Sequence, residues 1–177
     1  MSKVLIVDFD DSFTHNIAEL CQNLGLEFEV LHYGQINREL ILKNNYKKII
    51  WGPGPGHPSQ YSEASKLLKD LFNEEIFHIG ICLGHQLLFW SLGYEIINAP
   101  DKKHGRSSKF IIPRWPYFKK DDWDLEVEVQ YYSSLAVKEA KIIPELALAC
   151  EDGVILSGMG ENFLSYQFHP ESVGTSC

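Results

Sequence analysis

Cys82 stands in Gly80-Ile81-Cys82-Leu83-Gly84-His85-Gln86, a cysteine with a glycine two residues away on each side. The residues before it, Ile76-Phe77-His78-Ile79, read as a short buried strand, and Leu87-Leu88-Phe89-Trp90-Ser91-Leu92 reads as an apolar helix that Gly93 can end. A reactive side chain on a sharp strand-to-helix turn with small neighbours is a nucleophile elbow, here in a thiol version. The helix start offers unpaired N–H groups and positive dipole, which favour thiolate over thiol. The size of that effect matters, because a thiol with a pKa of ~8.5 is less than ~10% ionised at neutral pH, whereas one lowered to ~6 is mostly thiolate. The competing reading is a buried structural thiol, the usual fate of free cysteine. Placement between glycines at such a turn argues against it.

A thiolate nucleophile needs a base that cycles its proton, and the base needs a partner that orients it. Of the seven histidines, His85 is nearest to Cys82 in sequence, but it belongs to the following helix. His169 follows a strand ending at Phe168 and has a carboxylate, Glu171, two residues on. That neighbour makes His169 the preferred base. Acyl transfer also requires donors for an oxyanion. The Leu83 N–H, next after the nucleophile, is one. The loop Gly52-Pro53-Gly54-Pro55-Gly56-His57-Pro58 could supply another from Gly54 or Gly56, where no side chain keeps backbone from substrate. Taken alone the loop reads as a rigid connector, since Gly-Pro loops are common, and it lacks the Gly-Lys-Ser/Thr of a phosphate cradle. Cys82 with His85 could form half a metal site, but no second closely spaced Cys/His pair completes it.

The elements that must position these groups alternate. Val4-Leu5-Ile6-Val7 is a continuous apolar run, as in a strand covered on both faces. Asp8-Phe9-Asp10-Asp11-Ser12 is rich in helix-capping types; Phe13, Ile17, Leu20 and Leu24 then recur at helical spacing, with Gly25 as C-cap. Phe28 to Leu31 and Ile49 to Trp51 read as strands, with a short helix capped by Asn37 between them. Ala64, Leu67, Leu68, Leu71 and Phe72 mark another amphipathic helix before the strand that reaches Cys82. The first half is therefore a parallel sheet with helices on both faces. After Gly93 short strands follow with little helix between them: 94–97, 109–112, 125–129, 146–149, 154–156 and 163–168. Several alternate apolar and polar, as antiparallel strands do. The reading is an α/β chain whose parallel core is extended by antiparallel strands, and sites on such sheets form at the carboxyl ends of strands. Asp8 to Thr14, Gly52 to Pro58, the Cys82 turn and the segment after Phe168 should meet there.

At 177 residues the chain is expected to be one domain, residues 1–177, with room for a sizeable core. Its net charge of −8 argues against general nucleic-acid binding. Asp101 to Lys120 nevertheless holds seven Lys/Arg against one Asp, leaving about −14 on the rest, so this stretch is either a solvated basic loop or a docking patch. Cys21, Cys82, Cys150 and Cys177 form no CxxC pair, and the N-terminal apolar run is too short for a secretory or membrane segment. Reduced thiols in a cytoplasmic protein that neither spans nor enters a membrane are expected.

Taken together, Gly54-Pro55-Gly56-His57-Pro58, the Cys82 motif and Phe168-His169-Pro170-Glu171-Ser172 resemble the class I (triad-type) glutamine amidotransferases in order and spacing. Asp8-Phe9-Asp10-Asp11-Ser12-Phe13-Thr14 and His104-Gly105-Arg106-Ser107-Ser108 are similar to the branch serving anthranilate synthase and aminodeoxychorismate synthase. The resemblance covers about residue 4 to residue 175 and implies a three-layer, flavodoxin-like open sheet. It implies that Cys82 attacks the side-chain amide of L-glutamine, with His169 moving protons and Glu171 orienting it. Gly54 and Leu83 match the oxyanion amides. Gly54, Pro55, Gly56, Gln86 and the backbone at Ser134 and Leu135 match the glutamine contacts. No metal or other cofactor is implied. The implied partner is a chorismate-using synthase subunit that receives the ammonia in a heteromer, for which Lys102 to Lys120 is a candidate docking surface.

Three departures stand out. Ser133 replaces the histidine of the family's usual Tyr-His-Ser-Leu, and Gly52 replaces the serine that commonly opens the glycine–proline loop. Family members usually continue past the position of Cys177 into a last helix. Two other readings share the scaffold: an amidotransferase or γ-glutamyl hydrolase of another pathway, and a non-catalytic relative that binds a partner. The intact set of Cys82, His169 and Glu171 speaks against the second.

Overall fold

The apolar run at the start forms β1 (Val4–Asp8), whose first four residues are buried as a doubly covered strand requires. In the computed structural model, which describes residues 3–100, 106–111, 126–139 and 146–175, the first half alternates as expected. After β1 come α1 (Thr14–Asn23), β2 (Phe28–His32), α2 (Arg38–Lys43), β3 (Lys48–Trp51), α3 (Ser62–Leu71), β4 (Phe77–Ile81) and α4 (Leu83–Ser91). Asn37 caps α2 by accepting from the Leu40 N–H at 2.9 Å. Gly25 and Gly93 end α1 and α4 with φ of +65° and +84°, where a side chain would be strained.

The second half is strand-rich: β5 (Ile96–Asn98), β6 (Arg106–Ile111), β7 (Glu126–Tyr131), β8 (Leu135–Lys138), β9 (Ala147–Glu151), β10 (Val154–Met159) and β11 (Phe163–Tyr166). Among the described residues one sheet runs β2-β1-β3-β4-β11-β10-β8-β5, with β9 beside β10. The pairs from β2 through β11 are parallel and those beyond are antiparallel. The parallel order 2-1-3-4 is the flavodoxin-like winding, in which sites gather at the carboxyl ends of the strands.

Alternation along each strand separates the two faces. Leu5, Val7, Ile49, Trp51, Val137 and Ile155 face a core closed by α3 and α4, with Leu68, Leu87, Leu88 and Phe89 wholly buried in it. Full burial of such side chains is worth about 1.5–3 kcal/mol each. On the other face Val4, Ile6 and Ile50 pack under α1 through Ile17 and Cys21. Further along it, Ala136, Val154 and Leu156 lie under the β6–β7 hairpin through Phe110, Val129 and Tyr131.

One expectation needs correction, and two strands go beyond what the sequence reading offers. The buried stripe of α1 is Thr14, Ile17 and Cys21, whereas Leu20 and Leu24 are 46% and 66% exposed, because the face that meets the sheet is set by Ile17 and the residue four on from it. Strand β8 carries no distinct strand signal in the sequence and forms because β10 and β5 flank it. Strand β10 is buried along its whole length, since the sheet is covered on both sides there. Most of the basic stretch, with His104 and Gly105 of its motif, lies outside the described residues, as does Cys177.

Candidate active site

The glycines around Cys82 are there for close approach. A Cβ on Gly84 would lie 1.9 Å from the Trp51 carbonyl oxygen, and one on Gly80 2.5 Å from Leu88 Cδ1. With neither present, α4 seats directly against the ends of β3 and β4, and the Gly84 N–H donates to the Gly52 carbonyl at 3.2 Å. Cys82 makes the corner itself, with φ +54° and ψ −102°, a conformation that costs a non-glycine residue of order 1–3 kcal/mol. The sequence tolerates it because seven of the nine residues of α4 are buried behind it.

A small cavity opens at this corner, lined by Gly54, Pro55, Gly56, Cys82, Gln86, Ser134, Leu135 and His169 together with Asp11, Phe13, Tyr132 and Ser133. Its volume of about 210 Å³ falls below the ~300–1,000 Å³ of drug-sized sites, which suits a small metabolite. The four stretches expected at the strand ends all reach it.

His169 is 1% exposed, and its Nδ1 stands 2.7 Å from Glu171 Oε1. The Glu171 side chain is fully buried behind the ring, outside the cavity lining. Since Nδ1 faces the carboxylate, Nε2 is the nitrogen left for Cys82; it is buried and has no hydrogen-bond partner. Burial opposes the charged imidazole, but the hydrogen-bonded Glu171 carboxylate and the neighbouring Cys82 outweigh it and push the pKa up to about 10.

Sequence reading did not single out the rings that hold His169. Phe13 lies tilted against the imidazole with ring centres 4.8 Å apart, and Tyr132 meets it edge-on at 5.1 Å. Phe13 is delivered by the loop after β1, where Asp8 accepts from the Thr14 hydroxyl at 2.8 Å and Asp11 from the Phe13 N–H at 2.9 Å. The aspartates therefore scaffold the loop rather than cap α1, whose N-cap is Phe13 with no side-chain cap bond, a correction to the capping expected from the sequence. The segment after Glu171 folds back, and Thr175 donates to the His169 carbonyl at 2.7 Å.

Gly54 approaches the start of α4 so closely that a Cβ there would lie 2.5 Å from Leu83 Cδ2 and 2.6 Å from Phe9 Cβ. Gly54 thus packs against the Leu83 side chain, and the Leu83 N–H lies in the first helical turn, where no intrahelical acceptor exists. The loop is braced: Tyr61 donates to the Pro55 carbonyl at 2.9 Å, and Gln60 Oε1 accepts from the His57 N–H at 3.0 Å. Tyr61 packs edge-on against Phe9, itself stacked on Tyr33. At Gly52 a Cβ would meet the Val7 carbonyl oxygen at 2.8 Å, so the serine usual in the family has no room in this backbone.

His85 is removed from the contest for the base. It is fully buried, Nδ1 meets Ser165 Oγ at 3.0 Å and Nε2 meets the Ile155 carbonyl at 3.1 Å. Burial pushes its pKa down to about 3, against the smaller lift from the Ile155 carbonyl. With both nitrogens engaged it cannot complete a metal half-site with Cys82. Among the described residues no group of three or more His, Cys, Asp or Glu is placed to hold a metal ion. No described helix is long and apolar enough to cross a membrane.

Residues 5–176 match the family model described as glutamine amidotransferase class-I. An anthranilate synthase component 2 of Porphyra purpurea is 31% identical, over 98% of this chain and 93% of that one. The protein of the same name from Saccharolobus solfataricus is 33% identical, over 99% and 93%. Among solved structures, a glutamine amidotransferase from Thermotoga maritima superposes with a TM-score of 0.76 at 16% identity, covering 96% of this chain and 76% of that one. At that identity the superposition speaks for the fold alone.

Proposed function

Because the chain belongs to the class-I glutamine amidotransferase family, we propose that it hydrolyses L-glutamine through a Cys82 thioester and delivers the ammonia to a chorismate-using synthase subunit. The observation that carries the mechanism is the pairing of His169 Nδ1 with Glu171 Oε1 at 2.7 Å, which leaves Nε2 for Cys82 at the mouth of the elbow. The name shared by the relatives of Porphyra purpurea and Saccharolobus solfataricus supports the synthase partner, and anthranilate or 4-amino-4-deoxychorismate is the product class it points to.

The chemistry follows from the placement. Cys82 Sγ attacks the side-chain carbonyl carbon of glutamine, and the oxygen takes up negative charge between the Gly54 and Leu83 N–H groups. His169 gives its Nε2 proton to the leaving nitrogen; the C–N bond breaks, ammonia departs and a glutamyl thioester remains. Water then attacks the thioester while His169 takes its proton. Collapse of the second tetrahedral adduct breaks the C–S bond and releases glutamate, restoring the thiolate and the imidazolium. Glu171 keeps Nδ1–H in place through both halves. Gly54, Pro55, Gly56, Gln86, Ser134 and Leu135 are the proposed substrate contacts. The Leu135 N–H already donates to Ser133 Oγ at 3.1 Å, so it reaches substrate only by sharing or exchanging that bond. Cys21, Cys82 and Cys150 are all free thiols, which supports a cytoplasmic setting.

The test is Cys82→Ala in the complex with the synthase subunit. Glutamine-dependent product formation should be abolished while formation from added ammonia continues. Glutaminase activity that survives the change would overturn the mechanism.

A further inference from the structure

Ser133 and Gln86 approach the cavity from different elements, one from the turn between β7 and β8 and the other from α4 one turn past Cys82. Their contact is built from a saturated hydroxyl. Ser133 Oγ accepts from Gln86 Nε2 at 3.2 Å and from the Leu135 N–H at 3.1 Å, and donates to the Leu135 carbonyl at 3.0 Å. A serine hydroxyl has one hydrogen and two lone pairs, so all of its capacity is used. Gln86 Nε2 also lies 3.2 Å from the Leu135 carbonyl and from Gln167 Oε1, so its two hydrogens are shared among three acceptors. Because the Leu135 carbonyl can only accept, the amide orientation of Gln86 is determined: nitrogen toward the β8 wall, Oε1 left for the cavity. Gln86 and Gln167 are 1% and 3% exposed, so the amide nitrogen, turned away from the cavity, depends on these protein acceptors.

We infer that Ser133 is a positioning residue: by bonding both the N–H and the carbonyl of Leu135 it sets the Ser134–Leu135 backbone, and through that carbonyl and its own hydroxyl it keeps the Gln86 carboxamide with Oε1 as an acceptor for the N–H groups of bound glutamine. The role rests on the glutamine reading above and deepens it. Ser133 itself need not touch substrate. A histidine, usual at this position, has no hydroxyl able to accept twice and donate once, so this chain orients the wall by a different set of bonds.

Three proteins test it: wild type, Ser133→Ala and Ser133→Thr, the last keeping a hydroxyl. Ser133→Ala should raise the KM for glutamine about tenfold, because the Leu135 peptide that accepts from Gln86 loses both of its bonds to the hydroxyl, with kcat within about twofold. Ser133→Thr should restore KM. The rate at which iodoacetamide alkylates Cys82 should be the same in all three, because the elbow is untouched. Independently of turnover, the side-chain amide signal of Gln86, assigned through its loss in Gln86→Glu, should exchange with solvent slowly in wild type and Ser133→Thr and quickly in Ser133→Ala. Unchanged KM in Ser133→Ala, failure of threonine to restore it, or identical amide exchange would each overturn the inference. Absence of glutaminase activity in wild type would instead sink the glutamine reading, and the exchange measurement would still decide the placement of Gln86.

Discussion

Gly84 lies against Trp51 so tightly that a single added methyl group would sit 1.9 Å from the Trp51 carbonyl oxygen. Backbone cannot yield as the tip of a side chain can, so α4 would have to move off β3 and carry Cys82 with it. Gly84→Ala is therefore expected to cost more than about 3 kcal/mol, the range of overpacking combined with backbone displacement. The urea midpoint reports it, and any protein that still folds should alkylate at Cys82 with an altered rate. A midpoint within error of wild type would show that the contact is not the constraint described here.

Glu171 holds the Nδ1 side of His169 and helps to keep its pKa up at about 10. Glu171→Gln keeps the size but removes the charge. The His169 pKa, followed by its ring proton resonances, should fall, and kcat should drop by roughly 10²–10⁴-fold, the contribution expected of an oriented acid–base group. A normal kcat would mean that the carboxylate only fills space.

The raised His169 pKa also makes a statement about stability. A histidine with a folded value of about 10 and an unfolded value near 6.5 binds its proton more tightly when folded, so its contribution is fully present below about pH 6.5 and is lost as the pH rises through about 10. Urea midpoints measured from pH 6.5 to pH 10 should decline in wild type, and the decline should be shallower in His169→Gln. Parallel curves would count against the charged imidazole.

On the acid side the buried histidines act in the opposite direction. Burial lowers His85 to about 3 and His78 to about 4, each against a weaker lift from a backbone carbonyl. The unfolded chain takes up these protons below about pH 6.5 while the folded chain refuses them, so stability is lost as pH falls toward the folded values. Two pH units of unfavourable titration amount to roughly 2–3 kcal/mol for each group. His85→Gln should flatten the fall in urea midpoint between pH 6.5 and pH 4.5. An unchanged slope would place the acid sensitivity elsewhere.

The elements nearest the chemistry were the ones most legible from sequence, because their constraints are local. Glycines flanking Cys82, a glycine–proline loop after a strand, and His169 two residues from Glu171 each state a backbone or pairing requirement within a few positions. Strand β8 was invisible because Leu135-Ala136-Val137-Lys138 has too few residues for a pattern, and its neighbours in the sheet come from distant parts of the chain. The α1 stripe was misread for a related reason: Leu20 and Leu24 fit a helical period, but which face meets the sheet is a tertiary matter.

By itself the sequence determined the alternation of strands and helices, the elbow at Cys82 and the candidate set of base, carboxylate and oxyanion donors, since turns, caps and periodicity act over short distances. Only the tertiary structure separated the surroundings of the two histidines, by engaging both nitrogens of His85 with Ser165 and Ile155 while leaving Nε2 of His169 without a hydrogen-bond partner. It also brought Phe13 and Tyr132, 119 positions apart in the chain, onto one imidazole, and it joined Ser133 to Gln86 across the cavity. Contacts of this kind depend on which strands become neighbours, and the free energy that selects them comes from burying the whole sheet between two cores.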